Sequence, residues 1–95
     1  MARIPDEIIR RIKNSIDLKF YIESKGHTFK KTGKSYLCRC PFPFHEDKTP
    51  SFSVTPEKQL FRCFGCGSSG DIFTFTMKYN EVKFLESVKI LEREI

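Results

Sequence analysis

The segment Cys63-Phe64-Gly65-Cys66, followed by Gly67, constrains the fold of this 95-residue chain more than any other feature. Two cysteines separated by two residues, with glycines that allow unusual dihedral angles, form a tight turn in which both thiolates can bind one metal ion. A second group of possible ligands, Cys38, Cys40 and His45, precedes this turn, and 17 residues separate His45 from Cys63. Two short ligand groups from different parts of a chain predict a structural zinc site with tetrahedral geometry.

Two other uses of the cysteines are less consistent with the sequence. A single Cys-x-x-Cys pair also occurs in thioredoxin-like redox proteins, but here the second ligand group and the absence of a βαβ pattern favour metal binding. The four cysteines could form two disulfides in a secreted protein, yet residues 1–14 are charged and lack the apolar segment of a signal peptide. We therefore expect a cytoplasmic protein, and no apolar run is long enough to span a membrane.

The length of the chain predicts a single domain over residues 1–95. A domain of this size buries only about 60 to 65% of its unfolded surface, so a bound metal ion adds useful stability.

Helices are predicted at both ends of the chain. Ile8, Ile12 and Ile16 recur at helical spacing, and Asp17 is a suitable cap for a second helix. Two more helices are expected after Gly70-Asp71 and from about residue 82, where Phe84 and Leu85 are among the candidate core residues.

The middle of the chain contains short β-like runs over residues 28–31, 35–39, 51–55 and 58–62. Turn residues lie at 32–33 and 56–57, between neighbouring runs. The pattern predicts an antiparallel sheet of about four strands with the ligand groups at strand ends. The expected fold class is α+β, a zinc ribbon in which a small antiparallel β-sheet is flanked by short helices.

Charge in this chain suggests a binding surface. The formal net charge is +5, and residues 25–39 contain five basic residues and no acid. A basic face attracts nucleic acid by releasing counterions, although lysine-rich segments are also ordinary solvated surface. In the predicted sheet, aromatic residues alternate with basic ones, a combination that binds single-stranded nucleic acid. The residues predicted to contact DNA are Lys30, Lys31, Lys34, Tyr36, Arg39, Lys48, Lys58, Phe61 and Arg62.

At least half of the aromatic residues are expected to belong to the core instead, with Tyr36 and Phe61 the better candidates for stacking. Because Phe61 and Arg62 are neighbours in a strand, their side chains must point to opposite faces.

No catalytic set of residues is visible in the sequence. Glu46 and Asp47 follow His45 and are interpreted as loop acids, so the chain alone is predicted not to be an enzyme.

The segments Cys40-Pro41-Phe42, 45–52 and 63–67 closely resemble the zinc-binding domain of bacterial DnaG-type primases, and the resemblance extends over nearly the whole chain. It implies that Cys40, His45, Cys63 and Cys66 bind one zinc ion. The family usually has two residues between the first cysteine and the histidine, whereas this chain has four. A site of four cysteines that includes Cys38 therefore stays open, although Cys38 is more easily interpreted as a small buried residue.

The resemblance also implies a function. Such primases copy single-stranded DNA into short RNA primers, and the polymerase centre lies in a following domain. This chain would be the amino-terminal module that selects the initiation site. It would hold the template for an RNA polymerase domain of the same or a neighbouring primase on the replicative helicase. The alternatives are a primase-like domain of a phage or mobile element, and a zinc ribbon used for protein contact or redox sensing.

Overall fold

In a computed structural model of the chain, residues 4–43 and 49–95 are described. The helices are α1 (Asp6–Ser15), α2 (Leu18–Glu23), α3 (Ile72–Asn80) and α4 (Phe84–Glu92). The strands, which lie between α2 and α3 in the sequence, are β1 (Lys30–Thr32), β2 (Ser35–Cys38), β3 (Phe52–Thr55), β4 (Leu60–Cys63) and β5 (Ser69–Gly70). They form one antiparallel sheet in the order β1-β2-β3-β4-β5. The predicted α+β fold class is confirmed.

Local capping explains where the helices begin. The Asp17 side chain accepts a hydrogen bond from the backbone N of Phe20 at 2.9 Å, as expected for the cap of α2. Asp71 caps α3 in the same way, accepting hydrogen bonds from the backbone N of Phe73 at 3.0 Å and of Thr74 at 3.1 Å.

No described helix is long and apolar enough to cross a lipid bilayer.

One face of the sheet packs against the helices and forms the core. Phe52 and Val54 of β3 and Phe61 of β4 are buried on this face, and Phe75 of α3 packs against them. Phe42 completes an aromatic cluster with Phe52, Phe61 and Phe75, in which the ring centroids lie 5.2 to 6.2 Å apart. Contacts of this kind add about 0.5–1.5 kcal/mol per pair beyond the burial of apolar area.

The opposite face of the sheet, here called the open face, carries side chains that are all at least partly exposed. The strand register identifies the side chains of this face, because residues paired across neighbouring strands point to the same side of the sheet. One row crosses all five strands, and a second row lies beside it. The open face consists of Lys30, Leu37, Ser53, Arg62 and Ser69 in the first row, and of Thr32, Ser35, Thr55 and Leu60 in the second.

Two details differ from the sequence prediction. The fifth strand, β5, was not expected because it has only two residues, and Gly70 in it allows α3 to pack closely: an added Cβ would lie 2.5 Å from Thr74 Cβ. Phe84 and Leu85 were expected in the core but are 39% and 44% exposed. Within α4 the buried residues are Ser87, Val88 and Leu91, so only one stripe of this last helix faces the protein.

Gln59 joins the sheet to the helices. It lies in the turn between β3 and β4 with a left-handed backbone (φ 55°), which moves the start of β4 to Leu60. Its side-chain Oε1 accepts a hydrogen bond from the backbone N of Leu18 at 2.7 Å, while Nε2 donates to Asp17 Oδ1 and to the Pro56 carbonyl, each at 2.8 Å. One amide group therefore satisfies polar groups at the start of α2 and fixes the turn.

We expect Gln59→Ala to lower the free energy of unfolding by about 1–3 kcal/mol, because the Leu18 N–H loses its partner in a partly buried position. Gln59→Gly should be less destabilising than Gln59→Ala, since glycine adopts a positive φ without strain. Denaturant unfolding of the zinc-loaded protein measures both values. Glu57→Ala, an exposed change in the same turn, is the control. Equal stability of Gln59→Ala and the unmodified chain would contradict the assignment.

Candidate metal centre and nucleic-acid interface

Three cysteines that are distant in sequence come together at one end of the sheet. Cys40 follows β2, Cys63 is the last residue of β4, and Cys66 lies in the turn after β4. Their Sγ atoms all lie within 4.8 Å of one another, and Cys63 is fully buried. Cys40 of the first predicted ligand group therefore meets both cysteines of the second group in the fold.

The turn over residues 63–67 presents two of these thiols because its backbone is closed by hydrogen bonds. The backbone N of Gly67 donates to the Cys63 carbonyl at 2.9 Å, and that of Cys63 donates to the Ser68 carbonyl at 2.7 Å. Gly67 has φ 77°, a left-handed value that glycine adopts without a steric penalty. The backbone of this turn thus explains why a glycine follows the Cys-x-x-Cys pair.

The chemistry of the three thiols fits a zinc ion. Zinc–sulfur bonds of about 2.3 Å in a tetrahedral site place sulfur atoms about 3.8 Å apart, so the observed cluster needs only small adjustments. Burial raises the pKa of the Cys40 thiol to about 12. Burial also opposes ionisation of Cys66, but hydrogen bonds with Ser68 and the other two thiols outweigh it and lower the Cys66 pKa. A divalent cation would stabilise all three thiolates together.

The predicted fourth ligand falls on a segment outside the described residues. His45 is the predicted ligand and lies within 44–48, as do Lys48 and the two acids after His45. Cys38, the alternative, is buried and does not belong to the three-cysteine cluster. Its Sγ donates to the Arg39 carbonyl at 3.1 Å. This position agrees with the interpretation of Cys38 as a small core residue, and His45 stays the predicted fourth ligand.

The residues predicted to contact DNA are divided between the two faces of the sheet. Lys30 and Arg62 belong to the open face, whereas Lys31 and Tyr36 point to the side of the helices. The prediction that Phe61 stacks on DNA is wrong, because Phe61 is 2% exposed and packs within the aromatic cluster. The alternation of side chains along β4 is the reason: exposing Arg62 on one face buries its neighbour on the other.

Several of the other described residues predicted to contact DNA lie near the β1 edge of the sheet. Tyr36 is half-buried, and Lys19 of α2 stands over its ring, with Nζ 4.4 Å from the centroid, which covers one stacking surface. Lys31, Lys34 and Tyr36 line one hollow with Pro56, on the helix side of the sheet edge. Arg39 lines another hollow together with Lys30. The basic residues therefore form several separate groups rather than one continuous face.

Sequence reasoning missed Phe64, which is 65% exposed beside Arg62. The Arg62 guanidinium carbon lies 5.1 Å from the centre of the Phe64 ring, a cation–π arrangement. Phe64, Arg62, Lys58 and Leu60 line a hollow of about 520 Å³ on the open face. The signal that could have found Phe64 is its place inside the metal-binding turn, since a residue between two metal ligands has little room in the core.

We expect removal of the metal to abolish cooperative unfolding, because structural zinc contributes on the order of 10 kcal/mol in small zinc-folded domains, as much as a whole domain's stability. A chelator and the variant Cys63→Ser should have the same effect. Near-ultraviolet circular dichroism and calorimetry measure it; helical far-ultraviolet signal is less informative. A metal-free protein with an unchanged melting temperature would refute this expectation.

The ligand set gives a second prediction. Cys38→Ala should keep one zinc ion per chain, because its Sγ lies outside the cluster, whereas His45→Ala should weaken zinc binding strongly. Zinc content by mass spectrometry and the X-ray absorption of the unmodified protein measure these effects. A shell of four sulfur atoms would show that a cysteine replaces His45.

Comparisons with known proteins agree with this site. A family model described as CHC2 zinc finger matches residues 4–95. The DNA primase of Listeria monocytogenes is 49% identical over 89 residues, and that of Geobacillus stearothermophilus 46% over 89 residues; each match covers 94% of this chain and 14% of the relative. The chain therefore spans about a seventh of the length of these relatives.

A solved structure of the Aquifex aeolicus primase, described as its zinc-binding and RNA polymerase domains, superposes with a TM-score of 0.79. The sequence identity is 38%, and the match covers 92% of this chain and 21% of that one. Together with the cysteine cluster, the family match assigns one structural zinc ion to the site. The chain belongs to the CHC2 zinc finger family, as a zinc-binding domain of the bacterial DNA primase type.

Proposed function

We propose that this chain is the template-recognition module of a bacterial DNA primase and that it binds single-stranded DNA on the open face. The observation that carries the proposal is the hollow on this face, where basic side chains stand beside exposed apolar ones. Arg62 and Lys58 provide positive charge, while Phe64 and Leu60 offer apolar surface. Stacking of a base on an aromatic ring contributes about 1–3 kcal/mol, and cations neutralise the phosphates.

The zinc ion supports this surface without taking part in chemistry. Cys63 and Cys66 hold the turn that carries Phe64, and Cys40 connects that turn to the end of β2. Four protein ligands leave no open position for a substrate or a reactive water molecule. Primer synthesis would therefore belong to another domain, and this chain alone would make no primers.

The partners follow from this role. The template is single-stranded DNA, and the relatives are named DNA primases, so the module would present the template to an RNA polymerase domain. That domain would belong to the same primase or to a neighbouring one, on the replicative helicase in the bacterial cytoplasm. Residues 1–95 would then be the amino-terminal domain of a longer chain.

The two faces of the sheet allow a matched test. Lys30→Ala and Arg62→Ala on the open face should each weaken binding to a labelled oligonucleotide. Each should also reduce the slope of log affinity against log salt concentration by about 0.7, the value for one phosphate contact. Lys31→Ala removes the same charge from the neighbouring position, but on the other face, and should leave the slope unchanged. Fluorescence anisotropy over a series of salt concentrations measures these values.

Equal losses for Lys30→Ala and Lys31→Ala would show that only general electrostatics matters and would refute the open face as the binding surface. The absence of any salt-sensitive affinity for single strands would instead favour a zinc ribbon used for protein contact. Zinc content is measured for each variant, so that loss of the fold is not mistaken for loss of DNA contacts.

A further inference from the structure

The centre of the open face is lined by small hydroxyl side chains. Ser35, Ser53, Thr55 and Ser69 all line the hollow of about 520 Å³. They come from strands β2, β3 and β5. β2 and β3 are neighbours, whereas β4 lies between β3 and β5, and its Arg62 stands between Ser53 and Ser69 in the same row. Because these side chains are short, the hollow has a polar floor and its walls are formed by larger neighbours.

The hydroxyl groups of this floor are available to a ligand. Within residues 4–43 and 49–95, none of these four hydroxyls hydrogen-bonds to another group of the protein. Two buried helix hydroxyls, by contrast, are used by the fold: Thr76 donates to the Ile72 carbonyl at 2.8 Å, and Ser87 to the Phe84 carbonyl at 2.6 Å. The floor is thus a set of hydrogen-bonding groups that the described part of the chain does not use.

The walls of the hollow suit the flat faces of a base. Leu60 is 44% exposed and Phe64 is 65% exposed, so both present apolar surface to the hollow. An unstacked base has apolar faces and an edge of donors and acceptors, and proteins read single strands by hydrogen bonds to such edges. A hydroxyl can both donate and accept, so it can pair with either kind of edge atom. Apolar walls above a hydroxyl floor therefore match the base rather than the phosphate.

We infer that Ser53 and Thr55 hydrogen-bond to base edges of the template and determine which sequence this module prefers. The inference rests on the proposed function, because it assumes that single-stranded DNA lies on the open face. Arg62 has a separate role in this arrangement. Its guanidinium is charged and exposed beside Phe64, so it holds the backbone irrespective of sequence.

The test compares affinity across a panel of short single-stranded oligonucleotides that differ in one central base. Ser53→Ala and Thr55→Val remove a hydroxyl with little change in shape. For each, we expect the affinity for the preferred base to fall by about 2- to 10-fold relative to the other bases, which corresponds to one hydrogen bond. The slope of affinity against salt should stay the same. Arg62→Ala should lower the affinity for all oligonucleotides alike and reduce that slope.

Thr32→Val is the matched control, because Thr32 is an open-face hydroxyl residue that does not line the hollow. A uniform change across the panel for Ser53→Ala and Thr55→Val, or an unmodified chain without base preference, would overturn the inference and leave the proposed function intact. A chain that fails to bind any of the oligonucleotides in a salt-dependent way would overturn the proposed function as well. Zinc content and thermal unfolding verify that each variant is folded.

Discussion

The zinc–thiolate cluster is the interaction on which the rest of this structure depends. It joins the end of β2 to the end of β4 and to the turn that follows, although β2 and β4 are not paired with each other in the sheet. The sheet itself is small, since its two outer strands have three and two residues. Short strands with exposed edges are marginally stable alone. A metal ion that fixes two strand ends and one turn therefore has a large effect on a domain of this size.

The sheet separates two tasks by its two faces. The helix side carries Phe52, Val54 and Phe61, which are all buried, and the two phenylalanines form an aromatic cluster with Phe75. The open face carries serine, threonine, lysine and arginine, together with the exposed Leu60. The period of two along a strand makes this separation possible within a few residues. Stability and ligand contact can then change independently, because a substitution on one face does not disturb the packing of the other.

Two close contacts attach the sheet to the helices. The Gln59 side chain bridges the turn after β3 and the first residues of α2, and Gly70 lets α3 start directly against β5. Both positions have backbone conformations that are rare for side-chain-bearing residues. They keep the helices on one side of the sheet, and this leaves the other side accessible.

The sequence alone determined the parts of this protein that depend on local spacing. The Cys63-x-x-Cys66 turn, the cap at Asp17, and the order of the four helices and the first four strands follow from nearest neighbours in the chain, and the structure shows all of them. The DnaG-type resemblance was also visible at this level, because it rests on contiguous motifs.

Only the tertiary structure decided which side chains share a surface. Phe61 looked like a stacking residue and is buried, Leu85 looked like a core residue and is exposed, and Phe64 was not noticed. Lys30 and Lys31 are neighbours in the sequence but point to opposite faces. The physical reason is that burial depends on what packs against each face. What packs against each face is set by strand register and by the side on which the helices dock. Both are long-range properties that no local sequence pattern determines.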